Sequence, residues 1–171
     1  MAENFEIEPL GNHHGRAAFS CGEPVLDHYL QARAGQEQRR KVAAVFILNE
    51  TITATVAGFY RLSMYAVRPT ELPEAFRRKQ PNYDQLPAVL IGRLAVDSRF
   101  ERRGLGARLL MDALARSYAA TQQVAAVGVV VEAKNDRMRT WYESFGFESF
   151  PDSPNRLFLA MATINKLITK I

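Results

Sequence analysis

The sequence predicts an α/β fold in which helices flank a mixed, mostly antiparallel sheet with one parallel pair of strands near its middle. Two observations support this prediction. The first half contains VAAVFILN and ITATVAGFYRLSMYAV, two stretches rich in β-branched and aromatic residues, which are typical of strands joined by a short turn. The second half alternates apolar strand patterns with helix patterns, which is the order expected around a parallel pair.

The individual elements follow from local patterns along the chain. NFEIEPL predicts a first strand, and EPVLDHYLQARA predicts a helix because its apolar residues recur at helical spacing. Pro69 and Pro73 end the long strand region. The remaining elements follow in this order: a short helix at LPEAFRRK, a buried central strand at AVLIGRLAVD, a helix over residues 105–120, a buried strand at VAAVGVVVEA, a helix over residues 135–144, and closing strands near FESF and RLFLAM.

Length and composition indicate one globular domain over residues 1–171. Of the 171 residues, 47% are apolar and 23% are charged, which is a soluble composition with room for a core. No apolar stretch reaches membrane length, and MAENFEIEPL lacks the basic start and apolar run of a secretory signal. The single cysteine, Cys21, forms no internal disulfide, which fits the reducing cytosol. We therefore expect a cytoplasmic protein without a membrane partner.

The basic residues are clustered, although the net charge is only +4. Such clusters suit phosphate-bearing partners, but they do not separate a nucleotide cofactor from a nucleic acid. A solvated face also explains any single one of these cations. The clusters are Arg39–Lys41, Arg77–Lys79, the group Arg99, Arg102, Arg103 and Arg108 around two glycines, and Lys134, Arg137 and Arg139 at a later helix.

The stretch RFERRGLGARLL, residues 99–110, lies between a buried strand and a long helix. The first N–H groups of a helix have no intrahelical partner, and Gly104 and Gly106 leave the backbone open to an anion. A tight strand-to-helix turn with incidental arginines is the alternative explanation. The dinucleotide-binding fingerprint is excluded because a third glycine is missing, and a Walker A loop is excluded because no Lys-Ser or Lys-Thr pair follows.

The segment RRGLGARLL, which follows LAVD, resembles the pantetheine–pyrophosphate loop of GNAT acetyltransferases. Gly104 and Gly106 match the glycines of that motif, whereas Glu101 departs from the Gln or Arg at its first position. The nearby arginines are expected to compensate for that carboxylate. The resemblance implies the GNAT fold and a binding loop for acetyl-CoA whose contacts are Arg102, Arg103, Gly104, Leu105, Gly106 and Ala107.

Several blocks together resemble a narrower group, the GNAT toxins of bacterial toxin–antitoxin modules. These blocks are FSCGEPVLDHYL, IGRLAVD, RRGLGARLLMDAL, WYESFGFESFP and NRLFLAM, in order from about Phe19 to Met161. The resemblance implies a homodimeric enzyme that acetylates the free amine of aminoacyl-tRNA with acetyl-CoA and thereby stops translation. It also implies a ribbon-helix-helix antitoxin. The alternative function is a GNAT enzyme that acts on a small amine or a protein N-terminus, and a non-catalytic CoA-binding module is a third reading.

The resemblance assigns roles to residues near the thioester. Backbone N–H groups of Leu94, Ala95 and Val96 are expected to hold the pantetheine arm and the thioester oxygen. Tyr142, in WYESFGF, is expected to be the general acid, because a phenol with a pKa near ~10 is protonated at neutral pH. Without the resemblance, a core aromatic role explains Tyr142 better. Asn135 is expected to contact the CoA arm, and a helix N-cap role explains it equally well.

Arg93 is the one charged residue within the apolar stretch IGRLAV. A buried arginine is costly unless it is paired or faces a site, so we expect it to face the substrate cleft or a partner, with an ion pair to Asp97 or Glu132 as the alternative. The substrate tRNA is expected to contact Arg39, Arg40, Lys41, Arg77, Arg78, Lys79 and Arg93.

Neither a general base nor a metal site is evident in the sequence. His13, His14 and His28 lie outside the blocks that carry the resemblance, and no Cys/His set has the spacing of metal ligands. The missing base fits a substrate whose amine loses its proton easily. An α-amine has a pKa of about 7.7–8.0, against about 10.4 for lysine, and the ester of aminoacyl-tRNA lowers it further.

Overall fold

The computed structural model describes residues 4–170 and contains a seven-stranded sheet with the order β1-β2-β3-β4-β5-β7-β6. The strands are β1 (Phe5–Pro9), β2 (Ala44–Glu50), β3 (Thr55–Val67), β4 (Leu86–Val96), β5 (Gly128–Glu132), β6 (Glu148–Phe150) and β7 (Ser153–Ala160). The helices are α1 (Pro24–His28), α2 (Ala34–Arg39), α3 (Glu74–Arg77), α4 (Leu105–Ala120), α5 (Asp136–Glu143) and α6 (Met161–Thr169). No helix within residues 4–170 is long and apolar enough to cross a membrane.

The sheet confirms the predicted fold class. The strands β1, β2 and β3 form an antiparallel meander, and β7 runs antiparallel to both β5 and β6. The parallel pair is β4–β5, in which Val89 lies opposite Val129 and Ile91 lies opposite Val131. Helix α4 makes the connection between them, because two parallel strands need a crossover rather than a hairpin.

The structure departs from the sequence prediction mainly at two element boundaries and at one additional helix. The first helix continues to Arg39, because a π-helical turn over Tyr29–Arg33 links α1 to α2 without a break. Strand β5 begins at Gly128, since Val124 lies in the turn after α4 and is 63% exposed. Helix α6 was missed because it starts directly after β7, with no glycine or proline between them to indicate a boundary.

The chain forms two compact units, and β3, β4 and α4 each contribute to both. The first unit contains the described residues up to Ser63 together with Gly92–Ala113. Its core includes Phe59, which packs edge-on against Phe19 and almost parallel to Tyr29. That residues 1–171 act as one domain stays a prediction, and residues 1–3 and 171 lie outside the described residues.

The second unit contains Met64–Ile91 and the described residues from Leu114 onward. Its core is built on the buried faces of β4, β5 and β7, where Phe158 meets Phe76 with ring centres 4.7 Å apart. Val130 is fully buried at the centre of this cluster. Helix α3 is too short to be stable alone, so this aromatic contact stabilises it.

A substitution of Gly128 tests the packing of β5 against β7. A Cβ at this position would lie 2.5 Å from the carbonyl oxygen of Leu159 and 2.5 Å from the Phe158 ring. We expect Gly128→Ala to lower the free energy of unfolding by about 1–3 kcal/mol, because the backbone must move to admit the methyl group. Urea unfolding measures this, with Gly15→Ala as the control, since nothing lies within 4 Å of a Cβ at Gly15. Equal stability of the two variants would contradict the described packing.

Candidate active site

The glycine loop connects the end of β4 to the start of α4. A short 3₁₀ turn over Ser98–Phe100 follows the strand, and Gly104 then adopts a φ of +73°, in the left-handed region that favours glycine. Arg102 also lies in that region, with a φ of 63°. The chain thus turns sharply twice before the helix begins, which brings the first turn of α4 directly after the loop.

The start of α4 is open to an anion. The N–H of Arg108 donates to the carbonyl of Gly104 at 3.2 Å, which begins the helical bonding pattern. The N–H groups of the preceding residues, Leu105 to Ala107, therefore have no partner within the helix. A Cβ added at Gly104 would meet nothing within 4 Å. This arrangement can hold a phosphate by backbone donation and helix dipole, as the sequence indicates.

Phe100 organises the arginines of the loop. Its ring packs edge-on against Phe5, with ring centres 5.8 Å apart. The guanidinium carbons of Arg99 and Arg103 lie 5.8 Å and 5.4 Å from the Phe100 ring centre. Glu101, the residue that departs from the motif, is exposed. Its carboxylate can therefore remain in water while Arg103 supplies positive charge near the loop.

Asp97 fixes the entrance to the loop, and its side chain is almost fully buried. Its carboxylate accepts hydrogen bonds from the Ser20 N–H at 3.0 Å and from the backbone and guanidinium of Arg99 at 2.9 Å. The backbone of Asp97 donates to Ala57 in β3 at 2.8 Å. Burial opposes the charged form, but the bonds from Arg99 and Ser20 hold the pKa of Asp97 below its ordinary value.

Tyr142 lies in the second half of α5 with its ring buried. Trp141 and Phe147 pack edge-on against that ring, and the side chain is 5% exposed. Burial raises the pKa of Tyr142 to about 12. Within residues 4–170, the Tyr142 hydroxyl forms no hydrogen bond, and it is not among the fully enclosed side-chain atoms that lack a partner. The ring is therefore part of the core, as expected, and no group among the described residues competes for the hydroxyl.

Asn135 is the N-cap of α5. Its side-chain oxygen accepts a hydrogen bond from the Met138 N–H at 2.9 Å, and its backbone is extended. This confirms the N-cap interpretation. The contact of Asn135 with the CoA arm stays a prediction.

Arg93 faces a cleft in the first unit. Its guanidinium carbon lies 4.3 Å from the centre of the Tyr29 ring. Asp97, one of the two partners considered for an ion pair, is instead bonded to Arg99. Tyr29 was not singled out by sequence reasoning, because a helical aromatic residue in an apolar pattern resembles any core residue.

The two basic clusters expected to contact tRNA lie at the ends of helices. Arg39, Arg40 and Lys41 follow α2 and are exposed, and Lys41 turns the chain with a φ of 62°. Arg40 and Arg33 line a hollow of about 500 Å³ beside that turn. The second cluster, Arg77–Lys79, ends α3, and its Arg78 forms an exposed ion pair with Glu74 at 3.0 Å. Apart from Arg78, the cations of both clusters form no ion pair within the described residues 4–170, so they are available to phosphates.

The structure also brings together Glu8, His13 and His14, a cluster that the sequence did not indicate. His14 is buried, and its Nδ1 accepts the Gly11 N–H at 2.9 Å. Its Nε2 therefore carries the proton and donates to Glu8 at 2.7 Å. Both ring nitrogens of His14 are thus engaged in bonds that hold the segment after β1. A periodic sequence pattern carries no signal for such a pairing.

Comparison with known proteins assigns the chain to a family. Residues 43–149 match the family model described as an acetyltransferase (GNAT) domain, which is more than half of the chain. The chain belongs to the GNAT acetyltransferase family. The matched range includes β4, the glycine loop, α4 and Tyr142, and these contain sequence motifs that resemble those of GNAT enzymes.

Two curated relatives of this GNAT protein are named as toxins. A probable toxin TacT from Sinorhizobium fredii is 33% identical over 170 residues, which cover 95% of this chain and 94% of the relative. A tRNA-acetylating toxin from Mycobacterium tuberculosis is 36% identical over 151 residues, which cover 88% of this chain and 89% of the relative. The resemblance to GNAT toxins is therefore confirmed along nearly the whole chain.

Solved structures of toxins match the fold closely. AtaT in complex with acetyl-methionyl-tRNAfMet superposes with a TM-score of 0.88 at 30% identity, over 96% of this chain and 99% of AtaT. A tyrosine-to-phenylalanine mutant of AtaT, bound to acetyl-CoA and the C-terminus of the antitoxin AtaR, has a TM-score of 0.81 at 27% identity, over 97% of this chain and 99% of that one.

Asp97→Asn tests the anchor of the glycine loop. Because the native pKa of Asp97 is depressed, its charged form stabilises the fold fully above the ordinary aspartate pKa of about 3.9, and this contribution is lost as pH falls through the native value. We expect the variant to lose about 1–3 kcal/mol of unfolding free energy at pH 7. The difference from the wild type should shrink below about pH 4.

Urea unfolding at several pH values measures that difference. Asp152→Asn, at an exposed aspartate, is the matched control and should leave stability unchanged at pH 7. An Asp97→Asn deficit that stays constant between pH 7 and pH 3 would show that the charge of Asp97 is not what stabilises the loop.

Proposed function

We propose that this GNAT enzyme acetylates the α-amine of aminoacyl-tRNA and thereby acts as a translation-blocking toxin. The observation that carries this proposal is the match, over 88% of the chain, to a relative named as a tRNA-acetylating toxin. The structural match to a toxin solved with acetyl-methionyl-tRNAfMet supports the same substrate class. These relatives favour aminoacyl-tRNA over a small amine or a protein N-terminus.

Acetyl-CoA fits the glycine loop because its pyrophosphate is an anion and the loop offers backbone donors and positive charge. The N–H groups at the start of α4 and the nearby guanidinium of Arg103 are suited to a pyrophosphate. In this proposal Arg102–Ala107 hold the pyrophosphate, and the backbone of Leu94–Val96 holds the pantetheine arm and the thioester oxygen. Asn135 supports the arm from the start of α5. When bound, acetyl-CoA supplies the acetyl group as a thioester.

Tyr142 is the proposed general acid. Its pKa of about 12 keeps the proton on the hydroxyl throughout the physiological range. As the amine nitrogen forms its bond to the acetyl carbon, the carbon–sulfur bond breaks, and the Tyr142 hydroxyl gives its proton to the leaving sulfur. The proton released by the acetylated amine returns the phenolate to its neutral form through solvent.

The two basic clusters each supply proposed contacts for the phosphates of tRNA. Arg39, Arg40 and Lys41 present three consecutive charges around one tight turn, and Arg77 and Lys79 present two more at the end of α3. Contacts of this kind bind phosphates without reading base sequence. Such contacts therefore suit tRNAs, which share a fold but differ in sequence.

Partners beyond the substrate follow from the toxin relatives. One matched toxin was solved with the C-terminus of its antitoxin, so we infer that an antitoxin also neutralises this enzyme. We further propose that the antitoxin is of the ribbon-helix-helix type and that the enzyme is a homodimer. Because charged tRNA is used in translation, the proposed site of action is the cytoplasm.

The activity is tested with radiolabelled acetyl-CoA and total charged tRNA, using uncharged tRNA as a blank. We expect label on the aminoacyl group, and we expect Tyr142→Phe to lower the rate by about 10²–10⁴-fold because the leaving sulfur loses its proton donor. The binding of acetyl-CoA should be unchanged in this variant. Tyr83→Phe, at a tyrosine that is 66% exposed, is the matched control and should be fully active.

Two results would contradict the proposal. If acetyl-CoA binds but no label reaches any aminoacyl-tRNA, the substrate class is wrong. If Tyr142→Phe acetylates charged tRNA at the wild-type rate, Tyr142 is not the general acid.

The dependence of kcat/KM on pH distinguishes the ionisation of the substrate amine from the ionisation of the general acid. The rate should rise with pH through the amine pKa, at or below about 7.7–8.0, because only the neutral amine attacks. It should then stay level to about pH 10, because the pKa of Tyr142 is raised to about 12 and the phenol keeps its proton. Rapid single-turnover measurements limit hydrolysis of the ester. A fall in rate near pH 9 would indicate an acid with a lower pKa than Tyr142.

A further inference from the structure

A cleft of about 370 Å³ lies beside the π-helical turn in the first unit. Its floor is the buried ring of Tyr29, and two cations, Arg33 and Arg93, contribute to its walls. A π-helical turn inside a helix is rare and is frequently found at functional sites. The complete lining is Pro24, Val25, His28, Tyr29, Arg33 and Arg93.

Tyr29 is held rigidly at the bottom of this cleft. Its hydroxyl donates to the Glu37 carboxylate at 2.8 Å and accepts from the Arg61 Nε at 3.0 Å. Its ring lies nearly parallel to Phe59, with a 17° angle between the planes. Burial and the bond to Glu37 raise the pKa of Tyr29 to about 12, so the residue stays neutral. The ring is a fixed platform rather than a mobile side chain.

Arg93 lies over the Tyr29 ring, and its hydrogen-bond donors have no partner among residues 4–170. The Arg93 guanidinium carbon lies over the Tyr29 ring, 4.3 Å from its centre, and an aromatic ring contact of this kind leaves the five N–H groups of an arginine free to donate to another group. Within residues 4–170, the Arg93 guanidinium forms no hydrogen bond or ion pair. Glu37, the nearby carboxylate, is already bonded to Tyr29 and Arg61. A half-buried guanidinium whose N–H groups have no partner among the described residues is suited to bind an oxyanion in a bidentate manner.

We propose that Arg93, positioned over the Tyr29 ring and assisted by Arg33, binds the phosphate of the terminal nucleotide of aminoacyl-tRNA. The inference rests on the proposed function and identifies which part of the substrate this cleft holds. Arg93 directly precedes Leu94–Val96, the proposed binding segment for the thioester. A phosphate bound there is the one nearest to the reacting amine, because the amino acid is esterified to that same nucleotide.

The phosphates of acetyl-CoA are the alternative phosphate ligands for the cleft at Arg93. The proposed pyrophosphate cradle lies at the far end of the pantetheine segment, beyond Val96, where the loop and α4 begin. Arg93 lies at the opposite end of that segment. The terminal phosphate of the tRNA therefore fits this cleft better than a phosphate of CoA.

The test uses two analogues of the substrate's end that differ in one group. Both are 3′-aminoacylamido-3′-deoxyadenosines, which resist hydrolysis and carry the amino acid that the tRNA assay identifies; one has a 5′-phosphate and the other a 5′-hydroxyl. Each is assayed as an inhibitor of tRNA acetylation. We expect the phosphorylated analogue to inhibit the wild type about 10- to 100-fold more strongly, as hydrogen bonds to charged groups predict.

Variants connect that preference to Arg93. Arg93→Gln should lose the preference and keep the weak inhibition by the unphosphorylated analogue. Arg93→Lys should retain only part of it, because an ammonium does not bind a phosphate in a bidentate manner. Lys166→Gln, which removes one exposed positive charge from α6, is the control and should keep the full preference. Thermal unfolding of each variant shows whether the fold is intact. If Arg93→Gln does not fold, the inhibition measurements are made with Arg93→Lys instead.

The outcomes separate this inference from the proposed function. If no tRNA is acetylated, the function itself fails. If tRNA is acetylated but the two analogues inhibit equally, or neither inhibits, the phosphate subsite is wrong. A preference that survives in Arg93→Gln also overturns it. Weaker binding of acetyl-CoA to Arg93→Gln, measured by calorimetry, would assign the cleft to CoA instead.

Discussion

The hydrogen bonds of Asp97 are the constraint on which the glycine loop depends. A buried carboxylate with charge-assisted bonds fixes where β4 stops, because it ties the start of the loop to Ser20 on one side and to Arg99 on the other. Gly58 allows β4 to pass close to β3 at this level, since a Cβ there would lie 2.8 Å from the carbonyl of Ala95. The open N–H groups at the start of α4 are positioned by these contacts rather than by the helix itself.

The fold class and most elements could be predicted because they depend on local periodicity. Helix α4 begins and ends where its apolar pattern does, and the glycine loop is visible because a sharp turn with φ near +73° requires glycine at Gly104. The missed boundaries have a different origin. Helix α6 starts without a turn signal, and the π-helical turn at Tyr29 keeps the helical pattern while changing its register.

The candidate site could be predicted only where its residues lie in one continuous segment. The loop and Tyr142 each belong to a short motif, whereas the cleft at Arg93 joins a helix to a strand that is distant in sequence. An apolar strand that contains one arginine indicates that this arginine contacts a partner or a ligand, but the pattern does not identify Tyr29 as that partner. The Glu8–His14 pair is hidden for the same reason, because contacts of this kind depend on the packed backbone.

Two buried tyrosines show why a pKa alone does not identify an acid. The pKa values of Tyr29 and Tyr142 are both raised to about 12, so both phenols remain protonated at neutral pH. Tyr29 has committed its proton to Glu37 and its lone pair to Arg61, and giving up that proton would break both bonds. Tyr142 has an apolar ring environment, and its hydroxyl has no hydrogen-bond partner among residues 4–170. The same buried phenol is therefore a rigid platform at Tyr29 and a usable proton donor at Tyr142.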